Sequence, residues 1–157
     1  MSNIQTAYGS AGQAITCTLT SLANNGARQS TAIDNTSNLY LDALVFLTIK
    51  SNSASVSSTG SVAVYAYGTV DGSSYSDGAS GSDGSITLTV PPNMRLIGVI
   101  NMVADSTTYY GGPFSVAAAF GGVLPEKWGI VVVNSSGAAF DASTASAEYQ
   151  GVYATSS

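Results

Sequence analysis

The sequence contains no histidine and only four basic residues, beside nine acidic ones, in a chain of 157 residues. Charged side chains make up 8% of the chain, where about 25% is usual for a soluble domain. Without histidine the chain cannot build a Ser-His-Asp triad and lacks the commonest metal ligand. Nucleic acids and anionic membranes are disfavoured as partners, because both bind clusters of Lys and Arg. We therefore expect a protein that is not an enzyme and holds no cofactor.

Cysteine, signal-like segments and long apolar runs are also scarce. Cys17 is the only cysteine, so it has no partner for an intramolecular disulfide, and a buried thiol is its expected state. The first residues lack the basic and apolar regions of a signal peptide. The longest apolar runs, 96–103 and 116–124, are shorter than the roughly 18 residues that span a bilayer. We therefore expect synthesis in the cytoplasm and no membrane insertion.

What the chain does contain is apolar residues that alternate with polar ones. Hydrophobic residues make up 45% of the sequence, which is enough to form a core. Period-two alternation is typical of strands. The predicted strands are 14–22, 41–49, 62–69, 86–90, 95–103, 114–120, 128–133 and 148–154. Both faces of strand 41–49 carry apolar side chains, so both are expected to be covered for part of its length.

The same pattern predicts the fold. About eight short strands without intervening helices are typical of an all-β antiparallel two-sheet sandwich, here a jelly roll. Residues 14–157 are expected to form a single domain, and residues 1–13 an extended arm or a frayed terminus. Three long loops are predicted at 23–38, 71–85 and 105–113.

Asp71, Asp77 and Asp83 are each followed by glycine and stand six residues apart. Three carboxylates could gather around Ca²⁺, which prefers six to eight oxygen ligands, but the spacing fits no EF-hand loop. Asp-Gly pairs are also typical of turns with positive φ. Turns are the favoured interpretation, and calcium binding stays open.

The only two glutamates, Glu126 and Glu148, are the candidates for a glycosidase carboxylate pair. Nothing in the sequence brings them together. A glycosidase is therefore the least favoured hypothesis.

Aromatic residues supply the candidate binding sites. Tyr109 and Tyr110 precede Gly111, Gly112 and Pro113, so they are predicted to be the best-exposed pair, in a loop, and Tyr8 lies in the predicted arm. These three tyrosines are the candidate contacts with a capsid or with other subunits, because tyrosine is enriched at protein interfaces. The alternative role for Tyr109 and Tyr110 is to stack on sugar rings. Tyr65, Tyr67, Tyr75 and Trp128 could do the same, but they could instead be residues of the core or of a sheet face.

Two segments resemble a known group of proteins. They are QSTAIDNTSNLYLDAL at 29–44 and FGGVLPEKWGIVVVN at 120–134, followed by YQGVY at 149–153. Together they are similar to small proteins of about 150 residues encoded by tailed bacteriophages and prophages, which are linked to virion structure.

The resemblance implies a capsid decoration (cement) protein. Such a protein would bind the major capsid protein on the outer surface of the virion, after synthesis in the host cytoplasm, and a homotrimer is the favoured oligomer. The family implies no catalytic residue and no cofactor. The alternative function is a receptor- or carbohydrate-binding module of a tail fibre or baseplate.

Overall fold

Alternation of buried and half-exposed side chains produces the central strands. The computed structural model describes residues 3–156. In the strand Asp42–Ser51, every second side chain is fully buried, and most of these are β-branched or leucine. The strands are β1 Ile4–Tyr8, β2 Gln13–Ile15, β3 Ala27–Gln29, β4 Ile33–Asp34, β5 Asp42–Ser51, β6 Ser61–Thr69, β7 Gly84–Ser85, β8 Arg95–Asn101, β9 Thr108–Ser115, β10 Lys127–Ser135 and β11 Phe140–Ser156.

The strands form two antiparallel sheets that pack face to face. The front sheet has the order β1-β11-β5-β9, with β2 also paired to β11, and the back sheet has the order β7-β3-β10-β6-β8, with β4 also paired to β10. Since β1 and β2 share one partner, and β3 and β4 share another, each pair acts as one interrupted strand. With the two-residue β7 set aside, eight strands remain, in the orders 1-8-3-6 and 2-7-4-5. This is a jelly roll. The predicted fold class is confirmed, with eleven strands in place of about eight.

Two apolar clusters hold the sandwich together. The main core lies between the sheets and contains the fully buried Trp128 and Phe140. A second cluster lies on the outer face of the back sheet, where Tyr67 and Val131 are covered by side chains from the connection between β6 and β8, among them Met94. The central strands of the back sheet, β6 and β10, are thus covered on both faces by the chain itself.

Two predicted strands are wrong. Within 86–90 no residue belongs to a strand; Ile86 and Leu88 instead pack on the second cluster. Ile86 and Leu88 alternate with polar residues because one side of this extended segment packs on the outer face of the back sheet. The predicted strand 114–120 is also wrong, because β9 ends at Ser115 and Ala117–Phe120 forms a 3-10 turn closed by Gly121 at φ 76°.

The predicted loop 105–113 is wrong for a related reason. Residues 108–113 belong to β9, although Gly111, Gly112 and Pro113 are typical of a turn. A Cβ atom at position 111 would overlap the side chain of Ile100. Gly111 is therefore required by close contact between the sheets.

The remaining differences are in strand length. Predicted strand 14–22 is reduced to Gln13–Ile15, the predicted loop 23–38 contains β3 and β4, and predicted strand 148–154 is part of the 17-residue β11. In the predicted arm, 1–13, Ile4–Tyr8 pairs with the end of β11. Residues 1, 2 and 157 lie outside the described residues.

Candidate binding face

Tyr109 faces the core of the sandwich. It lies on β9, is half-buried and packs against the main core. Its hydroxyl oxygen accepts hydrogen bonds from the backbone N–H groups of Val103 and Ala104, at 3.1 and 2.8 Å. The prediction of an exposed loop pair is wrong for this residue, because neighbours in a strand point to opposite faces.

Tyr110 lies on the opposite face of β9 and is 68% exposed. Its ring stacks against Phe46 of β5, with ring centroids 6.4 Å apart and an interplanar angle of 28°. The pair forms an aromatic platform on the outer face of the front sheet.

Tyr8 has different surroundings. It is 59% exposed at the end of β1 and lines a shallow groove of about 460 Å³ with Tyr40 and Tyr153, whose ring centroids are 6.2 Å apart. Since β1 and β9 are the opposite edges of the front sheet, Tyr8 and Tyr110 do not share a site.

The outer face of the front sheet combines an apolar column with a polar one. Leu44 and Phe46 of β5 lie opposite Gln150 and Glu148 of β11 in the strand register. These four side chains and Pro113 line a groove with a volume of about 260 Å³. We call this surface the open face; its members are Leu44, Phe46, Tyr110, Pro113, Glu148 and Gln150. The sequence predicts that the second face of the strand at 41–49 is covered for part of its length; Leu44 and Phe46 are half-buried there, and neither apolar cluster includes them.

The open face carries little charge. The carboxylate of Glu148 forms no ion pair or hydrogen bond with another described residue. Lys50, farther along β5, lies 3.7 Å from the carboxylate of Asp141. The amide of Gln150 donates to the carbonyl of Gly9 at 3.0 Å. A partner that covers this face therefore desolvates few ions.

The three Asp-Gly aspartates have separate hydrogen-bond partners, and only Asp71 bonds within its own turn. Asp71 accepts hydrogen bonds from Ser73 and Ser74, and these backbone N–H groups, Ser74 first, hold the pKa of Asp71 well below its usual range. The carboxylate of Asp77 accepts from the backbone N–H groups of Asn93 and Met94 instead. Among residues 3–156, no three metal-ligating side chains are grouped so as to hold an ion. The predicted positive φ is confirmed at Gly72 and Gly78 but is wrong at Gly84, which lies in β7.

Asp83 joins the β6–β8 connection to the rest of the fold. Its two carboxylate oxygens accept from Nε and Nη2 of Arg28, at 2.7 and 2.9 Å, and also from Thr18. The hydrogen bond from Arg28 is the main reason why the pKa of Asp83 is lowered from 3.8 to about 2. The fork geometry of Arg28 suits a bidentate pair.

We expect this pair to make stability depend on pH in acid. A carboxylate whose pKa is lower in the folded state stabilises the fold above its unfolded pKa, and the contribution is lost as pH falls from about 4 to about 2. Asp83→Asn should cost about 1–2 kcal/mol at neutral pH, since the pair is partly exposed to solvent, and should flatten the pH dependence of urea unfolding below pH 4. Arg28→Lys keeps the positive charge but loses the bidentate geometry. Its free energy of unfolding should lie between those of the wild type and Asp83→Asn. An unchanged acid slope in Asp83→Asn would contradict this assignment.

Cys17 is half-buried and packs against the main core. Burial, and then the charge of Asp83, raise the pKa of its thiol to about 12. A thiol with so high a pKa is a poor nucleophile at neutral pH.

Glu126 and Glu148 lie on different sheets. Glu126 immediately precedes β10 of the back sheet, whereas Glu148 lies on β11 of the front sheet. The structure gives a glycosidase pair no support.

Fold and surface together define a charge-poor jelly-roll sandwich with one covered and one open sheet face. No protein family, no curated protein and no solved structure matches this chain. In the part of the chain from residue 3 to residue 156, no helix is long and apolar enough to cross a membrane.

Proposed function

We propose that this protein is a virion structural protein of a tailed bacteriophage. It binds the outer surface of the capsid as a decoration protein, with the major capsid protein as its partner. The open face carries this proposal: the exposed Tyr110 and the half-buried Leu44 and Phe46 offer an apolar and aromatic contact surface on the front sheet. The virion assignment itself follows from the sequence resemblance at segments 29–44 and 120–134, which no comparison tests.

The chemistry of the open face suits contact with another protein. Tyrosine and phenylalanine contribute large contact areas at low entropic cost, and they are frequent at the centres of interfaces. Glu148 is the one charge on the face without a partner among the described residues. Because a capsid repeats its binding site many times, each copy needs only moderate affinity, and linked copies gain from multivalency.

The centre of the back sheet has no equivalent surface among the described residues. On the outer face of β6 and β10, Tyr67 and Val131 are buried beneath the β6–β8 connection, which contributes Met94. A capsid contact is therefore assigned to the front of the sandwich.

Co-sedimentation with expanded empty heads of the parent phage tests the proposal. The wild-type protein should bind saturably, and Tyr110→Ser should weaken binding at least about tenfold, or 1.4 kcal/mol, because it removes the exposed half of the platform. Val70→Ser is the matched control: Val70 is 98% exposed, but it follows β6 of the back sheet. Absence of binding, or equal weakening by both variants, would contradict the proposal.

Carbohydrate binding is the second candidate function, as in a receptor-binding module of a tail fibre or baseplate. The observation that favours it is the pairing of Phe46 with Glu148 across neighbouring strands. An aromatic ring can pack against the C–H face of a sugar while a carboxylate accepts from its hydroxyl groups.

A glycan array with the same variants separates the two functions. Sugar binding predicts array signals that fall in both Tyr110→Ser and Glu148→Gln, together with no saturable binding to heads. Capsid binding predicts no array signal for the wild type, together with saturable binding to heads that Tyr110→Ser weakens. Tyr109 is unsuitable as a probe, because its hydroxyl accepts two backbone hydrogen bonds.

A further inference from the structure

The two sheets have four edge strands, and β8 is the least protected of them. β7 has two residues, β9 contains Pro113 and the positive-φ Gly112, and β1 is short. Natural proteins block sheet edges with such short strands, prolines, bulges or charges. β8 runs for seven residues without proline, and its single charge, Arg95, and its one bulge, at Ile97, both lie in its first half.

The pairing of β8 with β6 leaves one row of its backbone groups free. Met102 donates its N–H to the carbonyl of Gly60, so the alternating register directs the N–H and C=O groups of Val99 and Asn101 away from β6. Within residues 3–156, no other strand pairs with β8. A bulge near Ile97 interrupts the row, which leaves the regular edge at residues 98–101.

The side chains beside this edge are apolar and exposed. Leu96 is 52% exposed, and Val99 and Val103 are each 48% exposed. Such an edge is suited to accept another strand, whose backbone supplies the hydrogen bonds and whose side chains extend the apolar surface.

We propose that the β8 edge pairs antiparallel with the β8 edge of a second copy of this chain. The two copies are related by a twofold axis near Val99. The same surface then serves both subunits, as in an isologous interface.

Charge complementarity favours a second copy as the occupant. Arg95, at the start of β8, is exposed and belongs to neither ion pair of the described residues. Asp105 lies in the turn after β8, where one carboxylate oxygen accepts from Val56 and the other has no partner among residues 3–156. Antiparallel pairing brings Arg95 of each copy toward Asp105 of the other, and it keeps the two arginines at opposite ends of the ladder.

This interface is separate from the open face, because β8 belongs to the back sheet. The inference therefore does not depend on what the protein binds. A twofold contact predicts a dimer, in place of the trimer expected from the family resemblance.

Charge exchange tests the pairing by sedimentation equilibrium of the full chain at low salt. Arg95→Glu alone and Asp105→Arg alone should each raise the dimer dissociation constant at least about tenfold, because each opposes like charges at both ends of the ladder. An equimolar mixture of the two variants should restore dimers. In that heterodimer the two introduced charges, which are of opposite sign, face each other at one end of the ladder, and the native Asp105 and Arg95 face each other at the other end. Failure of the mixture to recover would overturn the charge pairing.

The edge itself is tested at Val99. Val99→Lys should abolish dimers, because a charge beside an edge strand blocks strand addition. Val99→Thr should dimerise like the wild type, since threonine has a similar shape and strand preference. Circular dichroism of Val99→Lys checks that the monomer is folded. A wild-type protein that is monomeric or trimeric, or a Val99→Lys variant that still dimerises, would overturn the inference.

Discussion

Replacing Trp128 with alanine is expected to lower the free energy of unfolding by about 4 kcal/mol. Trp128 is fully buried in the main core and is among its largest side chains. Its ring meets the ring of Tyr149 edge-on, with centroids 5.3 Å apart at an angle of 89°, so it bridges the back sheet to the front sheet. Its loss leaves a cavity between two sheets that the hydrogen-bonded strands prevent from closing. Equilibrium unfolding in urea measures the change.

Trp128→Phe is the control that separates volume from hydrogen bonding. Within the described residues, the indole N–H of Trp128 is buried and has no hydrogen-bond acceptor. Phenylalanine removes this unsatisfied donor while it keeps most of the aromatic contact, so we expect a cost of about 1–2 kcal/mol. If the alanine variant lost no more than the phenylalanine variant, the central position of Trp128 in the core would be contradicted.

The central strands could be predicted from the sequence because their environment is regular. In β5, β6 and β10 the side chains alternate between a buried core and a second surface, and apolar alternation reports this directly. With few helical patterns elsewhere, that alternation is enough to predict a two-sheet sandwich.

The wrongly predicted segments depend on contacts between distant parts of the chain. Ile86 and Leu88 alternate because they cover Tyr67 and Val131, not because they pair in a ladder. Gly111 is typical of a turn, yet it lies in β9, where only a residue without a side chain fits beside Ile100. Apolar alternation cannot distinguish such a cover segment from a paired strand, and the contact of Gly111 with Ile100 leaves no local pattern.

The candidate site is predictable only in part for the same reason. The exposed Tyr110 could be found from its sequence neighbours, but its partner Phe46 is 64 positions away, and their contact depends on the register of β5 with β9. Glu148 lies opposite Phe46 through the register of β5 with β11. In the sequence, the one feature that points to the open face is the pair of apolar residues, Leu44 and Phe46, on the second face of β5.

Replacing Asn134 with alanine is expected to cost about 3 kcal/mol of unfolding free energy. Asn134 is fully buried at the end of β10. Its amide nitrogen donates to the carbonyls of Leu22 and Ala138, at 2.9 and 2.8 Å, and its oxygen accepts from the backbone N–H and the hydroxyl of Ser136. Alanine leaves the buried N–H of Ser136 without this acceptor, and each unsatisfied buried group costs about 1–3 kcal/mol.

Asn52→Ala is the matched control, because Asn52 also accepts a backbone hydrogen bond, from Ser53 at 2.7 Å, but is exposed. Water can replace that partner, so the cost should stay within about 0.5 kcal/mol. Asn134 joins the segment after β2 to the turn between β10 and β11, so its loss should also speed amide hydrogen exchange in that turn before global unfolding. Equal costs for the two variants would show that burial of the Asn134 amide contributes nothing. If Asn134→Ala lowered the free energy of unfolding strongly without speeding exchange in the turn, Asn134 would stabilise another part of the fold.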